Sequence, residues 1–454
     1  MSTIIIALFF AIGLSLIGEI LRMITPGLRK ILLPGAVLGG VLALILGPQV
    51  LKINGAIGVG VDSYDVLSQF PPLFITIVFA TLMLGRPVHG LKKIWARAKR
   101  QVVMGHIYAW GQYVVGISLL LFVIGPALGV NILAGTTIAI GFQGGHGTAA
   151  GLTNTFNELG FPEGKTIAYA LATFGIIAGT ILGPLLANFH LSRNDGLSID
   201  EDKGPSGKEI GGGEGEPETE GDRPSVEFSP LTGGFTVQLA IVGCVILVGY
   251  GILEGFTALE SSLRSGESSQ SFVSYIPLFS VVLIVGLAAQ VVLQMLGLDH
   301  LLNRSILQLI SAFALDMVIF GALASLNLSV VGDQWLAILI LCLVGLSWNL
   351  AVFHLIGPRI YPRPWYAYAL GDLGGGTATT ASGLLLIRIV DPENRTQARA
   401  AYTEKQPFYE PFMGGGLVTA FALPIVASLG GVWSLVITSV VLCAFGIYAW
   451  ILSR

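Results

Sequence analysis

Glycines, hydroxyls and a few carboxylates set in apolar sequence are the residues of this chain that could do chemistry. The stretch "GFQGGHGTAAGLTNTFNELG", residues 141–160, holds Gly144, Gly145, His146, Gly147 and Thr148. A second, "YALGDLGGGTATTASGLLLIR", residues 368–388, holds Asp372, Gly374, Gly375, Gly376, Thr377, Thr379, Thr380 and Ser382. Both carry a G-T-A core. Hydroxyl and carbonyl oxygens are hard donors that suit a cation such as Na⁺. The first amides of a helix suit a carboxylate. A small, oxygen-rich site for Na⁺ and a small anion follows more readily than one for an apolar ligand. Thr148 is expected to be an N-cap or a hydroxyl ligand at the start of a second half-helix, with Thr377 its equivalent in the other stretch. His146 is read either as a proton-sensitive ligand or as a structural hydrogen-bonder in the turn. Asp372 is an ionisable group in apolar surroundings, which is costly and makes it a candidate for binding Na⁺ or an ammonium group. Asp316, within "ISAFALDMVIFGAL", is a further candidate cation ligand or a helix-packing partner. The glycines have a plainer use as well, since they let helices pack closely.

These groups are positioned by membrane helices. The chain has 454 residues, 53% hydrophobic and 11% charged, with a mean hydropathy of +0.78. A soluble globule would carry about 25% charged residues. Apolar runs of about 20 residues, the length that spans a bilayer as a helix, recur throughout, so the chain reads as an all-α polytopic protein of the lipid bilayer. Spans are expected near 3–22, 32–50, 70–86, 102–125 and 165–190, then 235–255, 272–296, 305–327, 334–357, about 400–428, and 432–452. The first run, "TIIIALFFAIGLSLIGEIL", has no basic start and no small-residue cleavage site, and reads as a retained helix. Between the halves, residues 191–233 are acidic and rich in Gly and Pro, a flexible linker that cannot bury a core.

Basic loops stay cytoplasmic. With "GRPVHGLKKIWARAKRQ" inside, the other Lys and Arg clusters also fall inside, provided that the two glycine stretches do not cross the membrane. They are therefore read as re-entrant hairpins, about 131–158 and about 365–388. The N-terminus is then outside and the linker and C-terminus cytoplasmic. Each half has five spans and one hairpin in opposite orientation: 1–190 is the first repeat, 234–428 the second, and 429–454 an additional helix. Inverted repeats with broken helices mark secondary transporters.

Other readings are weaker. Cys244, Cys342 and Cys443 are expected as packed thiols, and Glu19 with Arg22 as an interfacial ion pair. The charged group Arg388, Asp391, Glu393, Arg395 and Arg399 reads as an inner-surface loop. "GFPEGKT" misses phosphate-loop spacing by one residue and reads as a turn. No H-E-x-x-H or G-x-S-x-G is present, so no enzyme is indicated, and no basic, aromatic-studded patch points to nucleic acid.

"LPGAVLGGVLAL", "FATLMLGRPVHGLKK", "GFQGGHGTAAGL" and "ATFGIIAGTILGPLLA" together resemble the bacterial glutamate:Na⁺ symporter family over almost the whole chain. That resemblance implies Na⁺-coupled glutamate uptake across the bacterial inner membrane by a homodimer, with an elevator-type motion that carries both hairpins past a fixed scaffold. The family's first hairpin motif falls on Gly144 to Thr148. The second hairpin departs from its G-x-G-x-G-A-T-like pattern by the added Asp372, and the long linker and last helix are further departures. Na⁺ is expected near Asp372, Thr377 and Asp316. A carrier of another small carboxylate, or a channel, remains an alternative.

Overall fold

The computed structural model describes residues 3–25, 28, 33–53, 55, 59–86, 91–193, 234–263 and 273–454. All regular structure among them is helical, and nine helices are long and apolar enough to cross a membrane. The chain is a multi-pass membrane protein. Most of the expected linker, from 194 to 233, lies outside the described residues.

The first half contains α1 (Thr3–Ile24), α2 (Gly35–Leu46), α3 (Val61–Leu82), α4 (Leu91–Leu119), the short arms α5 (Thr137–Phe142) and α6 (Gly145–Gly151), and α7 (Glu163–Arg193). The second has α8 (Phe235–Leu263), α9 (Leu278–Met295), α10 (Arg304–Ala324), α11 (Trp335–Leu355), the paired arms α12 (Trp365–Thr377) and α13 (Thr380–Val390), α14 (Ala398–Tyr409) and α15 (Leu417–Ser453). Two starts lie earlier in the chain than hydropathy suggested. α3 begins at Val61 and α4 at Leu91, because polar and basic turns that read as loop continue the helices at their ends.

Buried side chains divide the molecule into two bodies. In the first, α1, α2, α3 and α10 share a core around Leu67, Phe70 and Phe320, and α3, α8, α9 and α10 share another around Ala80, Val242, Val282 and Leu307. In the second, α4 is the spine. Its residues Tyr113 and Ile117 pack with both arms of the first hairpin and α7, while Met104 and Tyr108 pack with α12, α13 and α14. Glycines make that closeness possible: a Cβ on Gly111 would sit 1.9 Å from the Trp348 ring, and one on Gly116 would sit 2.1 Å from the Gly135 carbonyl oxygen. Each half of the sequence contributes its first three helices to one body and the rest to the other.

The seam between the bodies is mainly apolar, crossed by a long hydrogen bond from Thr155 Oγ1 to the Tyr275 carbonyl at 3.4 Å. Ile75 of α3 lies where a Cβ on Gly147 would be, 2.1 Å away, and Phe279 of α9 stands 2.2 Å from the same point on Gly151. Leu33, Ala36, Val37, Ile319 and Leu323 cluster with Ile176 and Ala378 from across it.

Two expectations are corrected and a third is met. The span expected at about 400–428 is instead the short α14, a turn through Met413–Gly416, and the start of α15. Three charged residues, Glu404, Lys405 and Glu410, occupy that stretch and Arg399 directly precedes it, too many for a bilayer-facing helix. α15 then runs on to Ser453, broken only at Gly430, whose φ of 78° and ψ of 164° are not helical. Of the thiols, Cys342 is buried, whereas Cys244 and Cys443 are exposed on outer helix faces. The Glu19–Arg22 ion pair is formed, with Arg22 buried.

Candidate functional site

The first hairpin is opened by Asn131, whose side chain accepts from the Leu133 amide at 3.0 Å, and it turns at Gly145. Gly145 has a φ of 66°, in the left-handed region where a Cβ is disfavoured. Gly144 is the N-cap, so the second arm begins at Gly145 and not near Thr148. Thr148 is consequently interior to α6, fully buried, and its hydroxyl donates to the Gly144 carbonyl at 2.8 Å. It is not an N-cap. His146 is buried, its Nε2 2.9 Å from Thr173 Oγ1 of α7.

The second hairpin turns differently. α12 ends at Thr377, the chain turns at Ala378, and the extended Thr379 caps α13 by accepting from the Ser382 amide at 3.1 Å. Its glycines serve close packing rather than the turn. A Cβ on Gly374 would lie 2.7 Å from the Gly383 backbone, and one on Gly375 2.2 Å from the Tyr402 hydroxyl. The end of α12 is held by two buried amides that the sequence reading did not single out. Gln112 Nε2 and Asn349 Nδ2 both donate to the Gly376 carbonyl, at 2.8 and 2.9 Å, and Asn349 also donates to Thr377 Oγ1 at 3.1 Å. Thr377 in turn donates to the Leu373 carbonyl at 2.6 Å. Last-turn carbonyls lack helical partners, so these amides fix the tip. Losing one donor by Asn349→Leu is expected to cost about 1 kcal/mol. Gln112→Leu with Asn349→Leu is expected to cost more than the sum, because the carbonyl is then orphaned in a dry interior; thermal unfolding in detergent measures both.

α14 brings the two tips together. Its Tyr409 hydroxyl donates to Gln143 Oε1 at 2.8 Å, at the first tip, and Thr380 at the second tip donates to Glu410 Oε1 at 3.0 Å. The Gln143 amide also lies 3.3 Å from where a Cβ on Gly376 would stand. The turn after α14 contributes Gly415, whose Cβ would fall 2.3 Å from Thr148 Oγ1. Gln143, Gly144, Gly145, Thr379, Thr380, Ser382 and Glu410 are all partly exposed, which makes this the open, polar edge of the second body. The "EPFMGGGL" triplet was the available signal: a third glycine cluster beside an acidic residue.

Asp372 is buried and both its oxygens are engaged, Oδ1 by Lys405 Nζ at 2.9 Å and Oδ2 by the Tyr361 hydroxyl. Asp316 is not gathered with them. It stands exposed on α10 of the first body, with Glu19 of α1 as an acidic neighbour. Asp391 holds the turn after α13 by accepting from the amides of Arg395 and Thr396, at 2.7 and 2.8 Å.

A multi-pass helical protein in which two pairs of half-helices present hydroxyls, amides and a carboxylate at one open edge has the build of a carrier for small polar solutes. Comparison with known proteins narrows this: the model of the sodium/glutamate symporter family matches residues 1–357, and the chain belongs to that family. The sodium/glutamate symporter of Escherichia coli (strain K12) is 27% identical over 425 residues, which are 91% of this chain and 92% of that one. The sodium/glutamate symporter of Haemophilus influenzae is 43% identical over 86 residues, 18% of this chain and 20% of that one.

Proposed function

We propose that this sodium/glutamate symporter carries glutamate into the cell together with Na⁺, binding both at the edge where the two hairpin tips meet. The observation that carries the reading is the convergence of Gln143, Thr380, Tyr409 and Glu410 through side-chain hydrogen bonds. It joins a turn rich in free backbone to a set of hydroxyl and carboxylate oxygens. Thr379, Thr380, Ser382 and the carbonyls of the tips are hard oxygen donors of the kind Na⁺ takes. The first amides of α6 and α13 suit the substrate carboxylates. Gly144, Gly145, Gly147 and Thr148 shape one wall, Gly374, Gly375, Gly376 and Thr377 brace the other, and His146 fixes α6 on α7.

Alternating access on this reading is of the elevator type. The second body, which holds both hairpins, moves along the first as a unit, and the mainly apolar seam supports this because sliding along it exchanges mostly dispersion contacts rather than polar bonds. The two halves are inverted repeats, the N-terminus lies outside, the linker and C-terminus lie in the cytoplasm, and the assembly in the bacterial inner membrane is a homodimer. Asp316, on the other body beside Glu19, contributes acidic charge away from this edge.

Uptake of labelled glutamate into proteoliposomes tests the reading. An inward Na⁺ gradient is expected to drive accumulation, and its replacement by choline to remove it. Accumulation driven only for another dicarboxylate or a hydroxycarboxylate would sink the glutamate assignment, and equilibration without accumulation would indicate a channel.

A further inference from the structure

The mechanism just described leaves one buried ion pair without a role. Lys405 Nζ meets Asp372 Oδ1 at 2.9 Å, with side-chain exposures of 4% and 0%. The ammonium is also 4.4 Å from the centroid of the Tyr409 ring and 5.2 Å from that of Tyr402. Gly105 of α4 provides the room, since a Cβ there would come within 2.9 Å of Nζ. One carboxylate oxygen and two aromatic faces around a single charge form a receptor for a monovalent cation. The Tyr361 hydroxyl, donating to Oδ2, keeps the carboxylate aimed at it.

An ionised carboxylate inside a membrane protein must be neutralised by a partner. In a sodium-coupled carrier the free partner in supply is Na⁺ itself. Here the chain supplies the cation instead, from α14, a helix whose far end is tied to the first hairpin by Tyr409. We propose that Lys405 is a tethered cation occupying an alkali-cation site at Asp372, and that it thereby fixes the number of Na⁺ taken per transport cycle. Without the ammonium, Asp372 and the two tyrosine rings form an additional Na⁺ site. The inference rests on the reading of the protein as a Na⁺-coupled symporter.

The test compares full-length wild type, Lys405→Ala and the Asp372→Asn/Lys405→Ala double variant in proteoliposomes, with labelled glutamate uptake measured against NaCl at constant ionic strength. The Hill coefficient for Na⁺ is expected to rise by about one in Lys405→Ala, as for one more linked ion, with a higher half-saturating concentration. In the double variant both return to wild-type values. A Lys405→Ala curve that superposes on wild type overturns the proposal. So does a double variant whose coefficient falls below wild type, the result expected if Asp372 already holds a transported Na⁺.

If Lys405→Ala is inactive, its melting midpoint in detergent is the reading. NaCl, but not choline chloride, must raise it by more than it raises wild type, and equal shifts overturn the idea. If that variant cannot be purified folded, the coefficient of the double variant decides alone. Absence of Na⁺-driven uptake by wild type would instead defeat the functional reading, and the melting comparison would still decide the role of Lys405.

Discussion

Gly175→Ala is expected to lower Na⁺-driven glutamate uptake by roughly tenfold to a hundredfold, with the protein still inserted and folded. The α7 backbone passes so close to the second hairpin that a Cβ on Gly175 would lie 2.1 Å from the Thr377 carbonyl oxygen. That neighbour is backbone, and backbone cannot rotate away. The strain must be taken up by moving α7 off the tip, and overpacking of this kind costs about 1–3 kcal/mol, which is about a factor of ten for every 1.4 kcal/mol. The displaced groups are Thr377 and its neighbours Ala378 and Thr379, so the cost falls on the polar edge. Two substitutions grade the effect. Gly179→Ala, one turn on, would bring its Cβ 3.2 Å from the Ala378 side chain and should be mild. Gly243→Ala, with nothing within 4 Å of the new Cβ, should be neutral. Initial uptake rates per folded protein measure the series, and a Gly175→Ala rate equal to that of Gly243→Ala would refute the argument.

Gly415→Ala carries a comparable penalty by a different route. Gly415 has a φ of 103°, a conformation that costs other residues on the order of 1–3 kcal/mol. Its Cβ would also be 2.3 Å from Thr148 Oγ1 and 2.7 Å from the Phe79 ring. Uptake should therefore fall by about tenfold or more. Part of the loss is a clash with one atom, so Thr148→Ala in the same chain should restore some of it, and the two changes should be non-additive. The residue of the defect, from φ and Phe79, should persist. Uptake and melting midpoints of the two single variants and the double variant give the coupling. Strict additivity would mean that the turn and the first hairpin do not meet as described.

Much of this architecture was legible because membrane helices announce themselves by composition alone. The glycine stretches were legible as interruptions for the same reason. What hydropathy could not convey is which apolar helix a polar group faces. Gln112 and Asn349 are 237 residues apart and read as isolated amides in separate spans, yet they share one carbonyl. Asp372 stood out as a lone charge because its counter-ion sits 33 residues on, in a segment read as a continuous span. Averaging over residues 400–428 let the apolar start of α15 mask the charges of α14. The placing of Thr148 at the head of an arm failed for a local reason: the left-handed turn falls at Gly145, three residues earlier.

The seam between the bodies has a mechanical meaning beyond its apolarity. Glycines facing Ile75, Phe79 and Phe279 make a surface without pegs on one side and a row of blunt hydrocarbon on the other. Such a joint is stiff against separation, since opening it exposes cavities, but offers little resistance to shear, since its hydrocarbon contacts have no preferred direction and the hydrogen bond from Thr155 Oγ1 to the Tyr275 carbonyl is long, at 3.4 Å. In the proposed elevator motion it would serve as a bearing. The resting position in that motion would be set by what lies at the ends of the joint, including a cation or anion bound at the proposed site on the hairpin tips, and a small ligand would thereby govern the placement of half the protein.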